Sequence, residues 1–146
     1  MDNNQFWDNI YKSNTVKKLT YDLWLDRHID ILEKSKDEEI IDLGCGIGGD
    51  TLYLREKGYK VISCDYSEEA LKILNETMPG AKIVQMDISK PLPFEDESIG
   101  LIIADLSLHY FDCETTNNIV EEIRKVLKPD GYLLGRVNSV NDFNYG

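Results

Sequence analysis

The first residues that could do chemistry lie in Glu39 to Asp50, EIIDLGCGIGGD. An apolar run ends in Asp42, and glycines follow before a helical pattern begins. Glycine in such a turn lets a ligand lie against bare backbone and accepts φ > 0. Two spacings fit. Gly44, Gly46 and Gly49 satisfy GxGxxG, the arrangement that cradles a pyrophosphate at a helix N-terminus. Asp42, Gly44, Gly46 and Gly48 satisfy acid-x-Gly-x-Gly-x-Gly instead.

Three further acids bear on the choice. Asp65, Asp87 and Asp105 each close another apolar run, as Asp42 does. A ligand rich in phosphate would be repelled by four such carboxylates. A ligand with a cationic centre, an ammonium group, a ribose and an exocyclic amine would suit them.

The elements that must position these acids follow from the pattern of the chain. Strands are expected at Glu39–Leu43, Lys60–Cys64, Lys82–Met86, Ile99–Ala104 and Tyr132–Val137. Helices are expected at about Asp50–Lys57, from the N-cap Ser67 to Met78, and at about Glu114–Leu127. Lys128-Pro129-Asp130-Gly131 reads as a turn between the last helix and the last strand. Strands alternating with helices imply a doubly wound parallel sheet with helices on both faces. Ligands of such sheets bind beyond the carboxyl ends of the strands. All four acids are therefore expected along one rim.

Before the first strand the chain is aromatic-rich. Phe6, Trp7, Ile10 and Tyr11 mark one short amphipathic helix, and Tyr21, Trp24, His28, Ile31 and Leu32 a second. Residues 1–36 read as a helical cap, which either packs as core or covers a ligand. Residues 37–146 read as the α/β core, one domain in all.

Composition narrows the partners. The 146 residues carry a formal net charge of −11, which disfavours nucleic acid. No apolar run reaches membrane-spanning length, and the N-terminus has no signal-peptide pattern, so a cytoplasmic protein is expected. The three cysteines lack paired spacing and read as free thiols. No metal site is expected.

Taken in order, these segments resemble the class I SAM-dependent methyltransferases, from about Glu39 to Val137. Ile41-Asp42-Leu43-Gly44-Cys45-Gly46-Ile47-Gly48 is similar to the family's first motif. Cys64-Asp65-Tyr66-Ser67 resembles the acidic end of its second strand, and Met86-Asp87-Ile88 its adenine-side acid. Pro91 to Ser98 is similar to the approach to strand four, with Ile99-Gly100 in place of the usual Phe-Asp. Ala104-Asp105-Leu106-Ser107-Leu108-His109-Tyr110-Phe111 resembles the fourth motif. Leu127 to Leu134 resembles the turn into strand five, and the Leu-His-Tyr-Phe and Gly135-Arg136-Val137-Asn138 segments lean towards the small tellurite-resistance-like members.

The resemblance implies a Rossmann-like fold with S-adenosylmethionine (SAM) as cofactor and S-adenosylhomocysteine as product. It implies that the backbone of Gly44, Cys45 and Gly46 passes the methionyl and ribose parts. Asp65 takes both ribose hydroxyls, Tyr66 packs on adenine beside Ser67, and Asp87 with the Ile88 amide reads the adenine edge. Asp42, Ala104 and Asp105 serve the methionine ammonium end. His109 is the candidate base for an oxygen acceptor. A small-molecule methyl acceptor is expected. A SAM-binding module without turnover and an NAD-dependent oxidoreductase are the alternatives. The family usually has seven strands, so five imply a truncated or shortened chain. The open edge that results invites a homodimer.

Overall fold

A computed structural model describes residue 19 and residues 21–105 and 111–137. Its sheet contains β1 (Glu39–Leu43), β2 (Lys60–Asp65), β3 (Lys82–Gln85), β4 (Ile99–Asp105) and β5 (Leu127–Arg136), in the order β3-β2-β1-β4-β5. Every neighbouring pair is parallel. The order reverses between β1 and β4, which is where a doubly wound sheet opens a crevice for ligands.

A 3-10 turn, Trp24–His28, runs into α1 (Ile29–Lys34). The other helices are α2 (Gly49–Glu56), α3 (Glu68–Thr77) and α4 (Cys113–Val126). Ser67 caps α3, its hydroxyl accepting the Ala70 N–H at 3.1 Å. Asp112 caps α4, accepting the Thr115 N–H at 2.7 Å. Each cap supplies an acceptor to a helix N–H that has no partner within the helix.

Alternation along the central strands builds two cores. Ile41, Leu43 and Ile102 pack with Ile119, Ile123 and Val126 of α4 on one face. Ile40, Leu101 and Ile103 pack with Tyr53 and Leu54 of α2 and with Leu25 and Leu32 on the other. Two-sided burial explains why β1 and β4 read as continuous apolar runs. β3 is an edge strand, and most of its residues are exposed.

The segment before β1 is tied to α2 and to the start of β2 by tyrosines. The hydroxyl of Tyr21 donates to Glu56, that of Tyr53 to Asp26 and that of Tyr59 to Glu33. With Leu25 and Leu32 fully buried, this segment is part of the core. The first expected cap helix lies outside the described residues.

The fifth strand differs from expectation. It begins at Leu127, which pairs with Ile99, and the next pair is Leu101 with Tyr132. Lys128 to Gly131 therefore stand opposite Gly100 alone, as an irregularity within the strand. Pro129 has no N–H to give a ladder, so the turn residues bulge out while pairing resumes on either side. Strand propensity read along one chain cannot reveal that Leu127 already has a partner.

The turn from β1 into α2 also carries a packing constraint. Gly48 has φ +103°, and a Cβ there would fall 2.7 Å from Met78 Cε and 2.8 Å from Leu74 Cδ1 of the α3 region. Gly48→Ala is expected to lower stability by roughly 2–5 kcal/mol, from the left-handed backbone and the overpacking together. Urea denaturation checks it, and an unchanged midpoint would show that the turn and α3 relax freely.

Candidate functional site

The site grows out of the turn after β1. Gly44, Gly46 and Gly48 have φ of 73°, 57° and 103°, whereas Gly49 opens α2. The left-handed glycines are thus those of the acid-x-Gly-x-Gly-x-Gly spacing. The turn is anchored to β2. The amides of Gly44 and Cys45 both donate to the Cys64 carbonyl at 2.8 Å, and that of Gly46 donates to Asp65 Oδ2 at 2.8 Å. The other Asp65 oxygen accepts the Ser67 N–H at 2.8 Å. One carboxylate therefore joins the turns that follow β1 and β2.

Asp42 lies beneath this turn, 1% exposed. Its Oδ2 accepts from Thr51 Oγ1 at 2.7 Å, and Thr51 Oγ1 lies 2.7 Å from Ser63 Oγ. Thr51 has one hydroxyl proton and gives it to Asp42, so Ser63 is the donor in the second link. β1, α2 and β2 are joined by this buried chain. Burial pushes the Asp42 carboxyl up to about 7, against the Thr51 hydrogen bond that favours its charged form. Burial, with Asp42 and Asp65 nearby, also holds the Cys45 thiol well above its usual range. Cys45 stays a neutral thiol, small enough for the turn, with no thiolate to act as nucleophile.

A cavity of about 230 Å³ opens beside the turn, at the switch between β1 and β4. Asp42, Asp50, Asp105 and Arg136 line it, and Tyr21 and Asp22 come over it from the segment before β1. Arg136 grips Asp105 with two parallel bonds, Nε to Oδ1 at 2.7 Å and Nη2 to Oδ2 at 2.8 Å. Its Nη1 donates to Asp22 at 2.9 Å, and its guanidinium lies 4.6 Å from the centre of the Trp24 ring. Trp24 Nε1 donates to Asp50 Oδ1 at 3.0 Å.

Asp50 and Asp105 share a proton. Burial raises Asp50 to about 8, helped by its hydrogen bond to Asp105 and the charges of Asp42 and Asp105. Burial pushes Asp105 up too, but the hydrogen bonds from Arg136 and Asp50 outweigh it and hold Asp105 below the usual range. Of the two, Asp50 is the carboxyl raised and Asp105 the one lowered.

The remaining expected residues spread along the rim. Tyr66, 42% exposed, presents its ring beyond β2. Asp87 follows β3, and its Oδ1 accepts from the Ser89 amide at 2.9 Å and the Ser89 hydroxyl at 2.6 Å. Ile88 is half-buried against the first core. Ala104 is fully buried within β4. Ser67, expected as a cofactor contact, is fully buried, and its hydroxyl accepts the Ala70 N–H in the α3 cap. His109 lies outside the described residues. The sequence reading gave no site role to Asp50 or Arg136, and it placed Tyr21 and Trp24 in a cap that packs as core or covers a ligand. Arg136 ends β5 just as the acids end the other strands, so the same strand-end rule could have found it.

Two carboxyls with raised values give the free protein a definite pH dependence. In the unfolded chain Asp42 and Asp50 lose their protons near 4, and in the fold near 7 and 8. The folded state therefore binds more protons in between, and its stability falls as pH rises from about 4 to about 8. Asp105 does not oppose this, because its lowered value confines its contribution to more acid solution. Thermal melts are expected to drop between pH 5 and 8, with a shallower slope in Asp42→Asn; a melting temperature that climbs across this range would contradict the assignment.

The chain is similar to known proteins in sequence and in fold. The methyltransferase domain family matches residues 41–135. The Bacillus subtilis protein YqeM is 32% identical over 127 residues, 82% of this chain and 49% of that one. An uncharacterized methyltransferase of Synechocystis, sll0829, is 32% identical over 97 residues, 66% of this chain and 45% of that one. A crystal structure of a SAM-dependent methyltransferase from Methanosarcina mazei superposes with a TM-score of 0.67 at 32% identity, covering 77% of this chain and 56% of that chain. The chain spans about half the length of these curated relatives. With the acid-led glycine turn of β1 and the matched span from β1 into β5, the chain belongs to the methyltransferase domain family and has the Rossmann-like fold of class I SAM-dependent methyltransferases.

Proposed function

We propose that this chain forms the cofactor-binding core of a SAM-dependent methyltransferase acting on a small-molecule acceptor. The observation that carries the reading is Asp65 at the end of β2, hydrogen-bonded to the glycine turn while only partly buried. A carboxylate is an acceptor that can take both hydroxyls of a ribose.

The chain's residues suit the rest of the cofactor. The left-handed glycines keep the approach to the backbone clear of Cβ atoms. The exposed ring of Tyr66 suits an adenine face. Asp87 Oδ2 takes no hydrogen bond from the described residues, and an exocyclic amine would complement it. Asp105 and Asp50 favour an ammonium group, and the acid-rich rim favours a sulfonium. When bound, SAM supplies a methyl group activated by its sulfonium, which leaves sulfur as a neutral thioether on transfer. The protein's part is to hold, orient and exclude water, and alignment alone is worth roughly 7–11 kcal/mol. His109 is the candidate base for an acceptor whose proton must leave.

The acceptor is argued from charge. A formal net charge of −11 disfavours nucleic acid and leaves small molecules as the simpler class. In the described residues no helix is long and apolar enough to cross a membrane, and the three free cysteines suit a reducing compartment such as the cytoplasm. Self-association through the edge of β5 is proposed as well, since Tyr132 and Leu133 there are each 36% exposed.

Calorimetry with SAM, S-adenosylhomocysteine and NAD tests the cofactor. Both adenosyl compounds are expected to bind and NAD is not. Asp65→Ala is expected to weaken adenosyl binding by about 100-fold or more, since hydrogen bonds to a charged group are worth roughly 1.5–3 kcal/mol each. Parent-like affinity in that variant would overturn the reading. Labelled methyl transfer to thiol, amine, phenol and metalloid-oxyanion panels tests turnover, and binding without transfer in every panel would favour a cofactor-binding module. Sedimentation of a dimer weakened by Leu133→Lys supports the edge contact, and a monomer at all concentrations removes it.

A further inference from the structure

The cavity at the β1/β4 switch has a charge problem. Four of its lining residues are acids, Asp22, Asp42, Asp50 and Asp105, and its one cation among the described residues is Arg136. The acids suit an ammonium group. An amino acid also carries a carboxylate, which in this cavity has a single group to meet. Resting on the cofactor reading above, we propose that Arg136 is the specificity-determining residue that reads the carboxylate of the ligand's amino-acid end, and that Asp22 occupies that place in the free protein.

The donor inventory supports this. A guanidinium has five N–H groups. Asp105 takes one from Nε and one from Nη2, and Asp22 takes one from Nη1. One N–H on each terminal nitrogen is left over, and the Asp22 bond is the weaker hold. Asp105 grips through two parallel bonds and its side chain is 18% exposed, whereas Asp22 makes one bond and is 58% exposed. An exposed single bond contributes little and is readily exchanged, while a bidentate pair persists. An incoming carboxylate therefore displaces Asp22 and leaves Asp105 in place. The Trp24 ring beneath the guanidinium keeps its plane fixed during the exchange.

The exchange has a mechanical side. Asp22 lies in the segment that comes over the cavity, and its neighbours Tyr21 and Trp24 are held by Glu56 and Asp50. Releasing Asp22 loosens one side-chain tie between Tyr21–Trp24 and the core without unmaking the hydrogen bonds of Tyr21 and Trp24. Arg136 thus connects recognition of one end of the ligand to the cover above it.

The test separates this role from a structural one. Affinities are measured by calorimetry for S-adenosylhomocysteine and for its decarboxylated analogue, which keeps the adenosyl group and the amine. The parent is expected to prefer the carboxylate-bearing compound by about 10-fold or more. Arg136→Gln is expected to erase that preference by weakening S-adenosylhomocysteine while leaving the analogue within about 3-fold. Asp22→Asn, an exposed change that leaves the fold intact, is expected to tighten S-adenosylhomocysteine severalfold and not the analogue. If the preference survives in Arg136→Gln, or if Asp22→Asn weakens S-adenosylhomocysteine, the proposal is wrong although the cofactor reading stands. A parent that binds neither compound overturns the cofactor reading, and this one with it.

Discussion

Everything at the ligand-binding rim depends on how the chain turns out of β1. Within five residues it must leave a buried strand, clear the strand ends and start α2. It does so by placing the Gly44 and Cys45 amides on the Cys64 carbonyl and the Gly46 amide on Asp65. These bonds borrow acceptors from β2, so the turn has its shape only when β1 and β2 are paired in register. The buried chain Ser63–Thr51–Asp42 repeats the bargain one layer down, joining the same two strands to α2. A pocket wall made mainly of backbone is held in this way by long-range pairing rather than by its own side chains.

That dependence explains what could be read in advance. The acids at the strand ends were legible because period-2 and continuous apolar runs locate strands, and strand ends locate the rim. The glycine spacing alone left two readings open. Backbone conformation separates them, because Gly44, Gly46 and Gly48 take φ > 0 while Gly49 begins a helix. Arg136 ends a strand as the acids do and was legible by position, but its role and that of Asp50 were not, because no local pattern marks a side chain as the partner of Asp105. The bulge in β5 escaped likewise, since Leu127 joins the sheet through Ile99 and not through its own propensity.

The segment before β1 shows why a choice between core and cover was a false one. Leu25 and Leu32 are fully buried in the core shared with α2, yet Tyr21 and Asp22 line the cavity a few residues earlier. A segment anchored by apolar burial at one end and by hydrogen bonds at the other is firm where it packs and replaceable where it covers. Tyrosine suits this junction, because its ring packs while its hydroxyl reaches an acid at the surface.

The electrostatics of the rim then follow from one shortage. Several carboxylates are brought within the field of each other, and Arg136 is the one cation lining the cavity among the described residues. Burial first, and the neighbouring carboxylates after it, keep protons on Asp42 and Asp50, raising their carboxyls to about 7 and 8. Such protons are a stand-in for positive charge. A cationic ligand would make them unnecessary, so its capture should release protons at neutral pH and tighten as the solution becomes more alkaline. A neutral ligand of the same shape would do neither.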